Sequence, residues 1–442
     1  MDFPRKPCYT VGERKRRSGG AGRRRRMKET DSGKNRRYGA VVAGGGASGL
    51  MCAYLLGKAG IRVLLLEKNG RLGRKLSQTG NGQGNITNTD MSPAHYFSDD
   101  PEKVRSVLER FSEKDLLQTL EEAGGIFSAD ERGRVYPVSR QASSVTDLFR
   151  LSLGALSCDI RTGTVVSAIR QRGRAFDVFC SDGSVFIGES AVIACGGKAA
   201  PHFGTDGDGY ALAASFGHTV TELRPSLVQL KADRESIRGL KGVRIADCAA
   251  ALVRNGRTVR EVSGDVLFSD GVVSGDAVFR LSCFYEEGDL LHVDFAPGLA
   301  LADLTALLER KRTLFPDEDA EELFRTVAAG PVARNILRRN GVRAGTKCGG
   351  VRCTEKLAET AKRFSVPLAG SAGFSQAQVT KGGVPLSETD ANLMSRFADG
   401  LYLCGEVLNA DGECGGYNLQ WAFSSGAVVA GGIAERDADR RN

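Results

Sequence analysis

Gly44-Gly45-Gly46-Ala47-Ser48-Gly49 has the spacing G-x-G-x-x-G, and an acid, Glu67, stands 18 residues after its last glycine. Glycines so placed act through the backbone. Gly44 permits a tight turn, Gly46 lets the chain approach a pyrophosphate, and Gly49 allows close helix packing. A helix opening at Ala47 and Ser48 offers N–H donors to negative charge. Glu67, with Lys68 beside it, can accept hydrogen bonds from a ribose. The pattern is that of a dinucleotide site.

A second Gly- and Asn-dense segment follows, first Gly70 to Leu76 with Gly73, Arg74 and Lys75, then Thr79 to Asn88 with Gly80, Asn81, Gly82, Asn85, Thr87 and Asn88. It is too polar for a core. We expect it to wrap the second half of the cofactor, its Asn and Thr side chains supplying donors and acceptors to a ribityl chain or a heterocycle edge. FAD and nicotinamide nucleotides share the first fingerprint, so the C-terminal segment decides between them. There Leu401–Cys404 reads as a strand, Gly405-Glu406 as a turn with a carboxylate, and Gly415-Gly416-Tyr417-Asn418-Leu419-Gln420 as the entrance to an uncharged helix. This order resembles the glutathione-reductase-type FAD proteins. The resemblance implies that Glu406 meets ribityl hydroxyls and that the helix start faces the flavin pyrimidine. A reduced flavin carries negative charge there, which the N–H groups of Gly416–Leu419 would stabilise.

These residues need a scaffold to position them. Gly39–Ala43, Ser48–Ala59 and Ile61–Leu66 read as strand, helix and strand, a βαβ unit. Pro101–Ala123 reads as one polar surface helix. Thr164–Ile169, Ala175–Cys180 and Ser184–Ile187 read as an antiparallel meander, and Ala191–Cys195 as a strand returning to the first unit, with Val166, Gly196 and Gly197 assigned to the cofactor. The expected fold is α/β: a discontinuous glutathione-reductase-type FAD-binding Rossmann domain with an inserted β-rich region and a small helical subdomain. Its parts are a basic disordered arm at 1–37, the first part of the FAD domain at 38–224, an inserted substrate or cap region at 225–375 with helices at about 300–340, and the closing part at 376–442.

Composition narrows the function classes. Lys and Arg number 61 against 53 Asp and Glu, but residues 1–37 hold 14 of the basic and 4 of the acidic groups, which leaves 47 against 49 in the rest. The folded body is almost neutral, so a nucleic-acid role would fall on the arm. The stretch before Met27 reads as an Arg/Gly-rich leader, and we expect it to be dispensable. Eleven Cys without C-x-x-C spacing point to reduced thiols in a cytoplasmic protein, with no dithiol centre. The uncharged stretches Tyr38–Gly57 and Gly415–Ala434 are too polar or Gly-rich to be membrane spans. Four His without paired spacing predict no metal site. His95 and His292 show no constellation, and His202 and His218 read as structural or substrate-adjacent.

Taken together, these motifs are similar to one bacterial family of FAD-dependent NAD(P)/FAD oxidoreductases that includes aminoacetone oxidase, 3-dehydro-bile acid delta(4,6)-reductase and ribosomal RNA dihydrouridine synthase. The resemblance runs from about Tyr38 to Gly432. It also includes Gly196–Pro201 with Gly204–Tyr210, Phe268–Gly275 and Gln378–Val384. Where many relatives read Gly-Arg-Cys-Asn, this chain has Gly82-Gln83-Gly84-Asn85, so no role for that Arg or Cys carries over. The resemblance implies hydride transfer through flavin N5, with FAD bound and NAD(P)H docking transiently, since no second G-x-G-x-x-G unit is present. We expect reduction of a conjugated C=C bond in a small enone-like or 3-dehydro-bile-acid-like molecule. Amine oxidation by oxygen, reduction of uracil in ribosomal RNA and a non-catalytic flavin scaffold are the alternatives. Tyr417, Lys198 and Lys381, each beside a Gly-rich cofactor segment, are the expected catalytic donors.

Overall fold

The computed structural model describes residues 37–156 and 158–441. The arm before Arg37, with the readings placed on it, lies outside the described residues. Arg37–Ala43 and Val63–Glu67 are short apolar runs buried along almost their whole length, the pattern of strands covered on both faces. They pair in parallel, Val41 opposite Leu64, and the helix Ala47–Lys58 connects them. Val185–Ile193 runs parallel to the other edge of Arg37–Ala43, and Leu401–Leu403 lies beside it in turn. The C-terminal helix Tyr417–Arg441 packs across Ala47–Lys58, so the end of the chain closes the unit its beginning opens.

Two local expectations are corrected, and one strand lies where the sequence pattern predicts none. The last strand of the meander and the returning strand are one continuous strand, Val185–Ile193. One stretch of it pairs antiparallel with Ala175–Cys180 and another, Ala191–Ile193, in parallel with Leu401–Leu403. Gly188-Glu189-Ser190 interrupts the apolar pattern without breaking the backbone ladder. The surface helix over 101–123 is two helices, Pro101–Arg110 and Glu113–Glu122. Ser112 starts the second one with a capping box, its hydroxyl accepting from the Asp115 N–H while the Asp115 carboxylate accepts from the Ser112 N–H. Finally, Cys158–Thr162 is an edge strand parallel to Val63–Glu67, though its polar sequence lacks apolar alternation.

The chain leaves this sheet through Arg224–Ser226 and returns through Val379–Lys381, and these two segments pair antiparallel. Between them, six strands close into a barrel: Leu230–Ala232, Arg244–Arg254, Arg257–Phe268, Val272–Ser274, Leu290–Asp294 and Phe364–Ser371. Closure leaves no unpaired edge. The barrel has its own core, with Leu252, Val266, Phe268, Leu291 and Phe364 fully buried. Helices packed on that core run beyond the expected 300–340: Leu301–Leu314, Gly330–Arg339 and Thr354–Lys362. Among the described residues no helix is long and apolar enough to cross a membrane, no acidic, His and Cys cluster could hold a metal, and ten cysteines are free thiols.

Candidate functional site

A cavity of about 1100 Å³ runs from the Gly44–Ser48 turn, past the 74–88 loop and Glu406, to a wall formed by the barrel at Arg244, Asp265 and Phe279. It slightly exceeds the ~300–1,000 Å³ of ordinary small-molecule sites. The turn is built by sterics. Gly44 has φ +115°, and a Cβ there would stand 2.3 Å from the Ala194 carbonyl oxygen. At Gly46 no protein atom lies within 4 Å of the Cβ position, which leaves the backbone open to the cavity. The helix that follows has no side-chain cap, so its first N–H groups have no partner within the helix. Open backbone and uncapped donors fit the pyrophosphate of a dinucleotide.

Glu67 is buried beneath this turn. Its Oε2 accepts from the Gly45 N–H at 2.8 Å, and its Oε1 accepts from the backbone and side-chain N–H groups of Asn69 at 2.7 and 2.6 Å. The carboxylate is thereby fixed in place with lone pairs to spare for a ribose. Lys68 pairs with Asp206 and Asp208, and Arg74 donates to Asn69 Oδ1 and the His202 carbonyl. Lys75 reaches across the cavity to Glu406 Oε2 at 2.7 Å, while the Thr380 N–H donates to Glu406 Oε1 at 2.9 Å.

Most residues expected to meet the cofactor share this cavity wall. Gly44, Gly46, Ala47 and Ser48 come from the turn, and Glu67 and Lys68 from the second strand. Arg74, Lys75, Gly80, Asn81, Asn85 and Asn88 come from the loop, and Val166 and Gly196 from strand ends. Glu406, Gly416, Tyr417, Asn418 and Leu419 come from the C-terminal segment. Six others shape the wall from behind. A Cβ on Gly49 would strike the Gly44 carbonyl, and one on Gly197 would strike Glu406. The Gly73 N–H donates to the Gly45 carbonyl, and the Gly82 carbonyl accepts from the Ala142 N–H. The Thr87 hydroxyl donates to Gln420 Oε1, and the Gly405 N–H to Ser425 Oγ.

Of the three expected donors only Tyr417 lines the cavity. Gly416 before it has φ +104°, and a Cβ there would stand 2.3 Å from the Thr87 carbonyl oxygen, so the helix entrance needs its glycine. Burial, then the carboxylates of Asp90 and Glu413, push the Tyr417 phenol up to about 12. It therefore keeps its proton at neutral pH. Lys198 and Lys381 point elsewhere: the exposed Lys198 ammonium lies over the Phe374 ring, and Lys381 lies over Phe97 while donating to the Cys283 carbonyl.

His95, which showed no constellation in the sequence, stacks on Tyr417 with ring centroids 4.4 Å apart and 23° between planes. Its Nδ1 faces Glu413 at 3.4 Å and its Nε2 faces Asp90 at 3.3 Å. His95 and Glu413 are 318 residues apart, so no local signal could join them. His202 lies on the cavity wall. His218 is buried between Glu388 and Ser395 and serves the structure. Sequence reasoning also missed the charged barrel wall of Arg244, Asp265, Asp276 and Arg280, and the facing Arg132, Arg134 and Arg140.

The family described as HI0933-like protein Rossmann domain matches residues 38–432. The chain is 33% identical over 402 residues to a 3-dehydro-bile acid delta(4,6)-reductase of Clostridium scindens, covering 88% of this chain and 98% of that one. It is 29% identical over 392 residues to a ribosomal RNA dihydrouridine synthase of Escherichia coli, covering 87% and 95%. Solved structures similar to it include an E. coli quinol fumarate reductase (TM-score 0.49, 14% identity, 92% of this chain and 71% of that one). Another is a 3-ketosteroid-delta4-(5alpha)-dehydrogenase of Rhodococcus jostii (TM-score 0.44, 15% identity, 90% and 97%). The chain belongs to the HI0933-like family of FAD-binding Rossmann proteins and is an FAD-dependent oxidoreductase.

Proposed function

We propose that this member of the family reduces a conjugated C=C bond in a small enone-like or 3-dehydro-bile-acid-like acceptor, with NAD(P)H as the transient electron donor. Tyr417 carries the reading: a protonated phenol at a helix start, on the wall of a cavity that continues from the nucleotide turn to the barrel. FAD bound in this cavity would supply hydride chemistry. As hydride reaches the β-carbon, negative charge gathers on the carbonyl oxygen of the acceptor, a phenol donating there lowers the barrier, and a proton taken up by the α-carbon from solvent completes the reduction. Among the described residues the Tyr417 hydroxyl has no protein partner, so it is free to donate. His95, stacked on the ring and facing Glu413, holds the phenol in position. Lys75 and the Thr380 N–H hold Glu406 for the hydroxyls of the cofactor.

The 33% identical relative is named as a reductase of this kind. Uracil offers the same conjugated carbonyl, and other relatives are named for ribosomal RNA. The small acceptor is favoured because residues 38–442 carry 47 basic against 49 acidic groups, little attraction for a phosphate chain. Free thiols throughout the described residues support a cytoplasmic setting. Anaerobic single-turnover mixing tests the reading. NADH or NADPH should bleach the enzyme, and a steroid dienone should restore its colour much faster than the saturated analogue does. Rapid reaction with oxygen alone, together with bleaching by primary amines, would replace the reading with amine oxidation. Reoxidation by uracil-containing RNA alone would replace it with RNA reduction.

A further inference from the structure

Five of the eight Lys and Arg side chains on the cavity wall have an acid of their own. Lys68 meets Asp206 and Asp208, Lys75 meets Glu406, Arg134 meets Asp130, Arg244 meets Asp265, and Arg132 lies 3.7 Å from Asp276. Arg74 spends its donors on Asn69 and His202, and Arg140 lies over the Tyr136 ring. Arg280 differs. It is half-buried on the barrel helix Asp276–Ser282, and its one hydrogen bond runs from Nη1 to the Ser263 carbonyl at 3.3 Å. No carboxylate among the described residues lies within ion-pair distance of it. It is nevertheless close enough to Tyr417 for its charge to oppose the upward push on that phenol.

A guanidinium has five N–H donors in a planar fork that matches a carboxylate with two parallel bonds. Because no carboxylate holds them, the remaining Arg280 donors, which the half-buried wall leaves open to solvent, can turn to a bound anion without breaking an existing ion pair. We propose that Arg280 receives a carboxylate of the molecule that occupies the barrel side of the cavity. One guanidinium neutralises one negative charge; a phosphate dianion would leave a second charge facing Asp276 on the same helix. This deepens the reductase reading by assigning the carboxylate that a bile-acid-like acceptor would carry to one residue, Arg280, and rests on that reading only in calling the bound acid a substrate.

The test is equilibrium binding to the FAD-loaded protein, which needs no turnover. Acids and their matching amides are titrated in pairs: benzoate with benzamide, fumarate with fumaramide, and a 3-keto-4-ene steroid carboxylate with its amide. At least one acid should bind about ten- to a hundredfold more tightly than its amide. Arg280→Met should abolish that preference while leaving amide affinity and FAD content unchanged, and Arg280→Lys should keep part of it. The inference is overturned if no acid outbinds its amide, if the preference survives Arg280→Met, or if that variant alters FAD retention instead. Acid preference without any C=C reduction would sink the reductase reading and leave the Arg280 site standing, whereas reduction without acid preference would do the reverse.

Discussion

The Gly44–Ser48 turn and the barrel wall border one cavity and are built by different means. At the turn the protein presents backbone: a carbonyl 2.3 Å from where a Cβ on Gly44 would sit, open space at Gly46, and uncapped N–H groups. At the wall it presents side chains, Arg244 with Asp265, Asp276 near Arg132, and Arg280 without an acid. At Gly44 backbone recognition allows no gradation, because one added methyl group meets the fixed Ala194 carbonyl. Side-chain recognition is graded, since an exchange at Arg280 changes affinity for a ligand without disturbing a strand. A family can therefore keep one cofactor and vary its substrate, provided the variation falls on the barrel.

Gly46→Val is the strongest test of the backbone side. A branched side chain would fill the space left for the pyrophosphate, and we expect the purified variant to carry no FAD by absorbance. A stoichiometric yellow protein would break the comparison at its first term. Next in size, Tyr417→Phe removes the only expected donor on the cavity wall. Turnover should fall about 10²–10³-fold, the cost of losing one donor to a developing oxyanion, with FAD content unchanged. If FAD were lost with the hydroxyl, Tyr417 would belong to the cradle rather than to the substrate face.

Asp411 sharpens the comparison from behind the cavity wall, on the strand Ala410–Gly412 paired with Tyr96–Ser98. It is buried, and its Oδ2 has no hydrogen-bond partner. Burial pushes its carboxyl up to about 7, with Lys381 opposing and the Glu406 carboxylate assisting. An unfolded Asp titrates near ~3.9, so the folded state binds this proton more tightly. The stabilisation is complete below that value, is lost as pH rises through about 7, and stays lost above. Asp411→Asn keeps the shape and removes the charge. Urea denaturation should find the variant more stable than the parent by roughly 4 kcal/mol at pH 8 and equal to it near pH 4. A constant difference across pH would show that Asp411 does not titrate in this range.

The sequence makes the backbone side legible and the side-chain side almost illegible, for physical reasons. Gly44, Gly46, Gly49 and Glu67 sit within one βαβ unit, where sterics leave few residue choices and the spacing repeats them. Tyr417 is legible through its Gly-Gly entrance. Arg280 lies on a seven-residue helix whose facing partners come from strands and loops far away in the chain. His95 meets Glu413 because the strand Tyr96–Ser98 pairs with Ala410–Gly412, a register no local pattern encodes. The strand Cys158–Thr162 is hidden similarly, because its neighbour supplies its ladder and its own side chains stay polar.

The smallest expected effect belongs to Lys198. Its position after Gly196-Gly197 suggests a donor to the substrate, yet its ammonium is exposed and its nearest aromatic partner is the Phe374 ring, 5.1 Å from Nζ to centroid. Its backbone N–H, which donates to Thr380 Oγ1 at 2.7 Å beside Glu406, would survive replacement of the side chain. Lys198→Ala therefore removes one exposed cation–π contact, worth about 0.5–1 kcal/mol, and leaves the wall of the cavity intact. Steady-state turnover should stay within about threefold of the parent, below the ~1 kcal/mol such a contact is worth. A hundredfold loss would mean that Lys198 swings from Phe374 into the cavity when substrate binds, and the side-chain region would then extend past the barrel into the Rossmann sheet.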